Sequence, residues 1–276
     1  MNLSSAFHRL QLLSITIGGL FLINYNNAAI VVQAACQEGN EPFKDRDELK
    51  IAIDTCFEGD DPATAATIAE YNPEKCDEVV KVKYGWPMNI WCTGEVDNME
   101  LLFVGKRDFN EDISEWNTSK VTNLYETFSY AASFTGDISK WDVSNVWKMF
   151  GLFNGAKKFN SDISGWDTSS VTDMKWMFYE TTNFNGAYLK NWDVSKVTDM
   201  HEMFWECCNG GASLDLSQWD TSSVTTMKYM FYGVPDFNSD ISGWDVSNVE
   251  DFQEMFYEAY AFNQDLSQWN ISPGKL

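Results

Sequence analysis

The residues most capable of chemistry recur on a fixed beat. Asn117, Asp142, Asp167, Asp193, Asp220, Asp245 and Asn270 each directly follow a tryptophan. Asp112, Asp137, Asp162, Asp215, Asp240 and Asp265 each stand shortly before one. If the segments carrying the first set lie side by side as parallel strands, Asp142, Asp167, Asp193, Asp220 and Asp245 form a column of carboxylates spaced about 4.8 Å apart. Like charges at that spacing repel, and a hard divalent cation such as calcium relieves the repulsion, so a calcium ladder is one reading. The other is structural: an Asp in a turn accepts a hydrogen bond from a nearby backbone amide, in every unit because the unit repeats. Catalysis fits poorly. Carboxylates about 5 Å apart serve retaining glycoside hydrolysis, but a ladder of equivalent groups gives none of them a distinct acidity. His201 falls where other units carry Lys175 or Lys228, a solvated position. No nucleophile elbow, phosphate loop or metal motif is present. The chain reads as a non-enzyme, with calcium the single cofactor considered.

The elements that must position these residues follow from a period. Tryptophans in one context stand at 91, 116, 141, 166, 192, 219, 244 and 269, with gaps of 25, 25, 25, 26, 27, 25 and 25 residues. Five residues after each of the first seven comes a valine (Val96 to Val249), and twelve after comes a phenylalanine (Phe103 to Phe256). A period between about 20 and 50 residues marks a repeat architecture. Each unit opens as Ile/Leu-x-x-Trp-x-Thr/Val, which resembles the strand of leucine-rich repeats, with Trp166 and Thr168 inward and Asp167 outward. Met174, Met177, Phe178 and Thr181 then lie at i, i+3, i+4 and i+7, the face of a short helix, with Thr172, Thr198 and Thr225 as N-caps. The fold class expected is therefore an α/β solenoid: a leucine-rich-repeat-like right-handed coil with one short parallel strand and one short helix per repeat, each unit covering its neighbour's apolar flank. The extra residues near 181–188 and 207–216 fall between helix and next strand, so loops absorb them.

Ahead of the repeats the chain divides in two. Residues 1–35 carry no acid, an apolar run from Leu10 to Ile23 and small residues before Cys36. They read as a secretory signal, with a signal anchor and a lipoprotein signal as weaker readings. Residues 36–85 form a separate N-terminal cap, with an amphipathic helix over Asp45–Asp54 (Leu49, Ile51 and Ile53 inward) and a second over Thr64–Ala69. Cys36, Cys56 and Cys76, with Cys92 just inside the first repeat, suggest a disulfide-tied cap. Three pairings exist, and the reading favours Cys56 with Cys76 and Cys36 with Cys92; a zinc site is the weaker alternative. From 86 to 276 run about seven repeats plus a final strand with no visible C-terminal cap, an end suited to weak self-association. The adjacent Cys207 and Cys208 are expected as buried thiols, with a vicinal or intermolecular disulfide as the alternative. Asn117-Thr118-Ser119 and Asn270-Ile271-Ser272 are N-glycosylation sequons. The net charge of −22 makes the body a poor ligand for nucleic acid or anionic membrane, and nothing predicts membrane insertion of the mature chain.

The run W-D-[VT]-S-x-V-T-x-M-x-x-M-F followed by F-N-x-D-[IL]-S-x-W resembles the BspA-like leucine-rich-repeat surface proteins, over Trp86 to the C-terminus. Departures are Tyr188 for the Asp before the strand, Trp147 and Glu250 for the capping Thr, and Gly94 for Ser. The resemblance implies a secreted or cell-surface protein used for adhesion or recognition, with no catalytic residue to transfer. The function expected is a non-catalytic scaffold binding an extracellular protein or glycan. A structural matrix or envelope protein is the alternative. Aromatics outside the register (Trp147, Trp176, Tyr179, Trp205, Tyr229, Tyr232, Tyr257) either anchor a ligand or seal gaps between neighbouring helices, the second being favoured.

Overall fold

A computed structural model describes residues 21–25, 28–32, 40–57, 76, 78–208 and 214–271. Within the expected signal segment, Phe21–Tyr25 (β1) pairs antiparallel with Ala28–Val32 (β2); the rest of that segment lies outside the described residues. So does the helix expected over Thr64–Ala69.

The cap is built from two helices, α1 (Arg46–Cys56) and α2 (Glu78–Tyr84). Asp45 starts α1 by accepting the Glu48 amide at 2.9 Å, which supplies one of the bonds a free helix end lacks. Leu49, Ala52, Ile53 and Cys56 are buried at the spacing of a single helix face. Ile51, expected inward, is 67% exposed because two residues on from Leu49 is the far side of a helix. Phe43 stacks on Tyr84 (ring centroids 4.0 Å) and leans on Trp91, the first repeat tryptophan. Arg46 Nε donates to the Glu100 carbonyl at 3.1 Å, and the buried Lys106 ammonium lies 3.0 Å from Asp54. Cys56 and Cys76 are disulfide-bonded as favoured. Cys92 is disulfide-bonded as well, and Cys36 lies outside the described residues.

The repeats depart from expectation. Among the described residues of 86–271 there is no strand and no α-helix. Each repeat contributes one isolated parallel bridge to the next, from Asn98↔Asn123 through Thr226↔Asp251, and two short 3-10 turns, Met88–Ile90 and Gly186–Leu189, complete the secondary structure. The α/β solenoid of leucine-rich-repeat type is therefore not the architecture.

The backbone gives the reason. Two positions four residues apart adopt left-handed φ in every repeat: Leu101 and Gly105, Glu126 and Tyr130, Gly151 and Gly155, Trp176 and Glu180, and onward to Glu254 and Glu258. No α-helix runs through such residues. The apolar spacing arises from consecutive turns instead: Thr127, Ser129 and Ala131 each donate three residues back, to Leu124, Glu126 and Phe128. The intervening amides point to the next repeat. Leu124, Glu126, Phe128 and Tyr130 donate to the carbonyls of Lys148, Phe150, Leu152 and Asn154. Every second amide thus bonds forward and every other one bonds back, so the backbone is satisfied without helix or sheet. The threonines expected as N-caps bond a neighbouring repeat: Thr172 donates its amide (2.9 Å) and its hydroxyl (3.2 Å) to the Trp147 carbonyl.

Side chains set the register. Trp91, Trp116 and Trp141 stack at 6.2 and 6.4 Å with planes within 12°, and Trp244 stacks on Trp269 at 6.5 Å. A parallel column runs from Phe103 to Phe256 at 5.3–5.9 Å. From Trp116 onward each indole N–H of this column donates to a carbonyl of the preceding repeat, as Trp166 does to Ile138 at 3.1 Å and Trp244 to Leu216 at 3.0 Å. Tryptophan is thus more than an apolar filler here, because it combines a large ring with a donor that fixes the height of the neighbouring rung.

Candidate binding face

The aspartates are the first residues to place. Asp142 accepts the Ser144 amide (3.0 Å) and hydroxyl (2.6 Å), and Asp193 does the same with Ser195. Asp167, Asp220 and Asp245 accept the amides of Ser169, Ser222 and Ser247. The second set repeats the pattern two residues on, as Asp162 with Ser164 and Asp240 with Ser242. These bonds hold several carboxyls below the ordinary range, the serine amide acting first at Asp137 and Asp245 and the serine hydroxyl first at Asp162, Asp167 and Asp193. Asp215 falls to about 2, first through the Lys190 ammonium at 2.7 Å. Each carboxylate closes its own turn, the structural reading of the ladder. Among the described residues no group of three His, Cys, Asp or Glu gathers to hold a metal.

Other predicted sites divide. Asn117 is half-buried; its Oδ1 accepts from Ser119, and a Cβ at Gly94 would stand 2.9 Å from its Nδ2. That contact accounts for glycine where other units carry serine. Asn270 is exposed. His201 is not simply solvated, since its Nε2 lies 2.5 Å from a Glu202 carboxylate oxygen. Cys207 and Cys208 form the vicinal disulfide that was the weaker alternative to buried thiols, and both are buried.

The outer face of the turn region is where aromatic side chains collect. Tyr179, Trp205, Tyr232 and Tyr257 stack at 5.8, 3.8 and 4.7 Å, and Tyr125 stacks on Phe150 at 4.8 Å. They seal neighbouring repeats against one another, as favoured, although no helices are involved. Because ring lies on ring, most of these aromatics turn edges outward and offer a ligand little ring face. Lys148 and Lys175 lie over Tyr125 and Trp176 at 4.4 and 5.0 Å.

One ring differs. Tyr130 is 49% exposed. It occupies a left-handed position with Gly105 and Gly155 at the same place one repeat before and after, so no neighbouring side chain covers it there. Beside it the stripe breaks: Ser129 and Asn154 occupy the places that Tyr179 and Trp205 take further along. Burial pushes the Glu126 carboxyl up, and burial with the neighbouring Asp199 pushes Asp173 up as well. Sequence reasoning passed over Tyr130. The signal available was the pair of glycines flanking it at one-repeat spacing.

The family model described as "Mycoplasma protein of unknown function, DUF285" matches the chain twice, over residues 77–190 and 173–275, and the chain belongs to that family. No curated protein and no solved structure matches it.

Proposed function

We propose that this protein is a secreted or cell-surface, non-catalytic binding protein of the BspA-like kind, holding an extracellular protein or glycan against the outer face of its turns. The single observation that carries the reading is the break in that face at Tyr130. There a solvent-facing aromatic ring follows by four residues a carboxylate whose acidity burial has weakened. Aromatic anchors beside a few fixed polar groups are what recognition surfaces use. The carboxylates elsewhere are occupied by their own turns, which leaves catalysis no group set apart from its neighbours. The acidic charge steers cationic partners in and keeps anionic ones away.

The test is the full chain, labelled and applied to an array of glycans and extracellular-matrix proteins, with and without calcium. Retention by a defined subset, unchanged by chelator, supports the reading; no retention above background on either class sinks it. Assembly is the second reading, favoured by Tyr257 and Tyr260, which are 48% and 79% exposed in the last repeat. Weak self-association through that end would appear as a sedimentation coefficient that rises with concentration and stops rising in Tyr257→Ser/Tyr260→Ser.

A further inference from the structure

Six successive rungs each send four backbone amides to the rung ahead. Those of Leu124, Glu126, Phe128 and Tyr130 meet the carbonyls of Lys148, Phe150, Leu152 and Asn154, and the sixth set, Met227, Tyr229, Phe231 and Gly233, meets Asp251, Gln253, Met255 and Tyr257. The seventh rung breaks the series. At the equivalent positions Phe252, Glu254, Phe256 and Glu258, no amide finds an acceptor among the described residues, while the alternate amides of Met255, Tyr257 and Ala259 still bond three residues back. The Glu250 carbonyl is open as well, at the place where Thr122 and Trp147 each accept an amide of the next repeat. Buried backbone groups are nearly always paired, and Phe252 is only 7% exposed.

The apolar columns stop at the same edge. Trp269, Phe256, Phe262 and Tyr257 each stack backward, on Trp244, Phe231, Phe237 and Tyr232 at 4.7–6.5 Å, and among the described residues carry no ring of a following repeat. Phe256, Phe262 and Trp269 are only partly buried, where Phe231, Phe237 and Trp244 are at most 4% exposed. Charge is one-sided too. Glu250, Asp251, Glu254, Glu258 and Asp265 stand between 250 and 271 with no Lys, Arg or His among them. Elsewhere an acid meets a lysine of an adjacent repeat, as Glu95 meets Lys120 at 2.6 Å and Asp215 meets Lys190 at 2.7 Å.

We propose that this edge is a docking surface for one further rung supplied by another polypeptide. Such a segment turns carbonyls at two-residue spacing towards the Phe252, Glu254, Phe256 and Glu258 amides, lays apolar side chains over Trp269 and Phe256, and carries lysine or arginine beside them. Each earlier junction shows what seats on this amide row, and it is always the carbonyl side of another rung. Main-chain pairing of this kind supplies affinity, and the side chains supply selection. A phosphate or carboxylate accepts from amides but faces five acids and leaves the rings bare. A second copy of this chain fits poorly. Its first rung is occupied, with Arg46 on the Glu100 carbonyl and Phe57 of the cap 5.5 Å from Phe109, and its last rung sets amides against amides. Residues 141–165 of the chain itself match the description. They carry Lys148, Lys157 and Lys158 against Asp142 and Asp162, with glycine at both left-handed places, 151 and 155, which a free peptide adopts without strain.

This inference goes beyond the outer-face reading, and its test is separate from the array. Hydrogen exchange of single amides would be followed by NMR on the full chain, alone and with a synthetic peptide of residues 141–165, a scrambled peptide of the same composition, or inorganic phosphate. The expected result is free exchange at Glu254, Phe256 and Glu258 in the chain alone, slowed about tenfold by the peptide and unmoved by the other two additions. Leu124, Glu126, Phe128 and Tyr130 keep their rates throughout. Glu254 and Glu258 are exposed, so Glu254→Lys/Glu258→Lys should keep the wild-type melting midpoint while the peptide's protection falls about fivefold. No protection overturns the site, as does equal protection by the scrambled peptide or by phosphate, or protection unchanged in the lysine variant. Slow exchange in the chain alone means that the chain or a second copy already covers the edge, and overturns it as well. Peptide protection without retention on the array sinks the outer-face reading and leaves this edge standing.

Discussion

The cap and the repeat body are held together by different physics. The cap adds charged and covalent links to its apolar contacts: Lys83 Nζ lies 2.8 Å from Glu48, which also accepts the Tyr84 hydroxyl at 2.8 Å, and a disulfide joins Cys56 to Cys76. The body is almost free of such pairs in its interior. Its cohesion comes from ring columns, indole-to-carbonyl bonds and forward-pointing amides that recur at every step. A repeated rung can satisfy its backbone on its neighbour, whereas the first rung has no earlier neighbour and is met by a cap. Arg46 supplies the missing donor to the Glu100 carbonyl, and Lys106 ties Asp54 of α1 to the first repeat.

The sharpest break in the body is Trp166→Ala. It removes a stacked ring and one of the two bonds the Ile138 carbonyl accepts, the other coming from the Trp141 amide, and should cost about 3–5 kcal/mol by urea unfolding. Trp166→Phe, which keeps an aromatic ring and loses the donor while the carbonyl keeps its amide partner, should cost about 0.5–1.5 kcal/mol. No loss in Trp166→Phe would mean the indole bond contributes nothing. In the cap, replacing Cys56 and Cys76 by serine opens a loop with a sequence separation of 20 and should cost about 3 kcal/mol. Limited proteolysis should then cut the cap while the repeats persist.

Acid should distinguish the regions next. Glu48 ionises at about 2 in the folded chain, below its ordinary value of 4.5, first because of Lys83. A lowered carboxyl contributes stability that is present above 4.5 and lost as pH falls through the folded value. With screening at this partly exposed pair, that contribution is on the order of 1–2 kcal/mol. Melts of wild type and Glu48→Gln should therefore differ at pH 6 and converge towards pH 2. The smallest effect belongs to the turns. Glu254 is exposed with φ 49°, and Glu254→Gly should raise stability by about 0.5 kcal/mol, the strain relieved less the added chain entropy. A loss of that size instead would mean the glutamate is held by contacts rather than tolerated.

Much of this was legible in the residues. Period, inward Trp and Phe, and the cap helix follow from spacing, because burial depends on which residues are apolar and how far apart they stand. The turn geometry did not follow, since the series Met174, Met177, Phe178 and Thr181 buries equally well on a helix or on successive turns. Gly105, Gly151, Gly155 and Gly233 mark the left-handed places, but Glu, Tyr and Trp occupy those places elsewhere and hide them. Tyr130 is flanked one repeat either side by Gly105 and Gly155, which the sequence does show; that these places lie directly above and below its ring follows only from how the repeats stack.

The account turns on where the amides of each rung find their acceptors, and hydrogen-bond-mediated NMR couplings between amide nitrogen and carbonyl carbon read that directly. Turn-built rungs predict a correlation from the Phe128 amide to the Leu152 carbonyl, one repeat ahead. A correlation from Phe128 to Leu124, four residues back as in an α-helix, would contradict it.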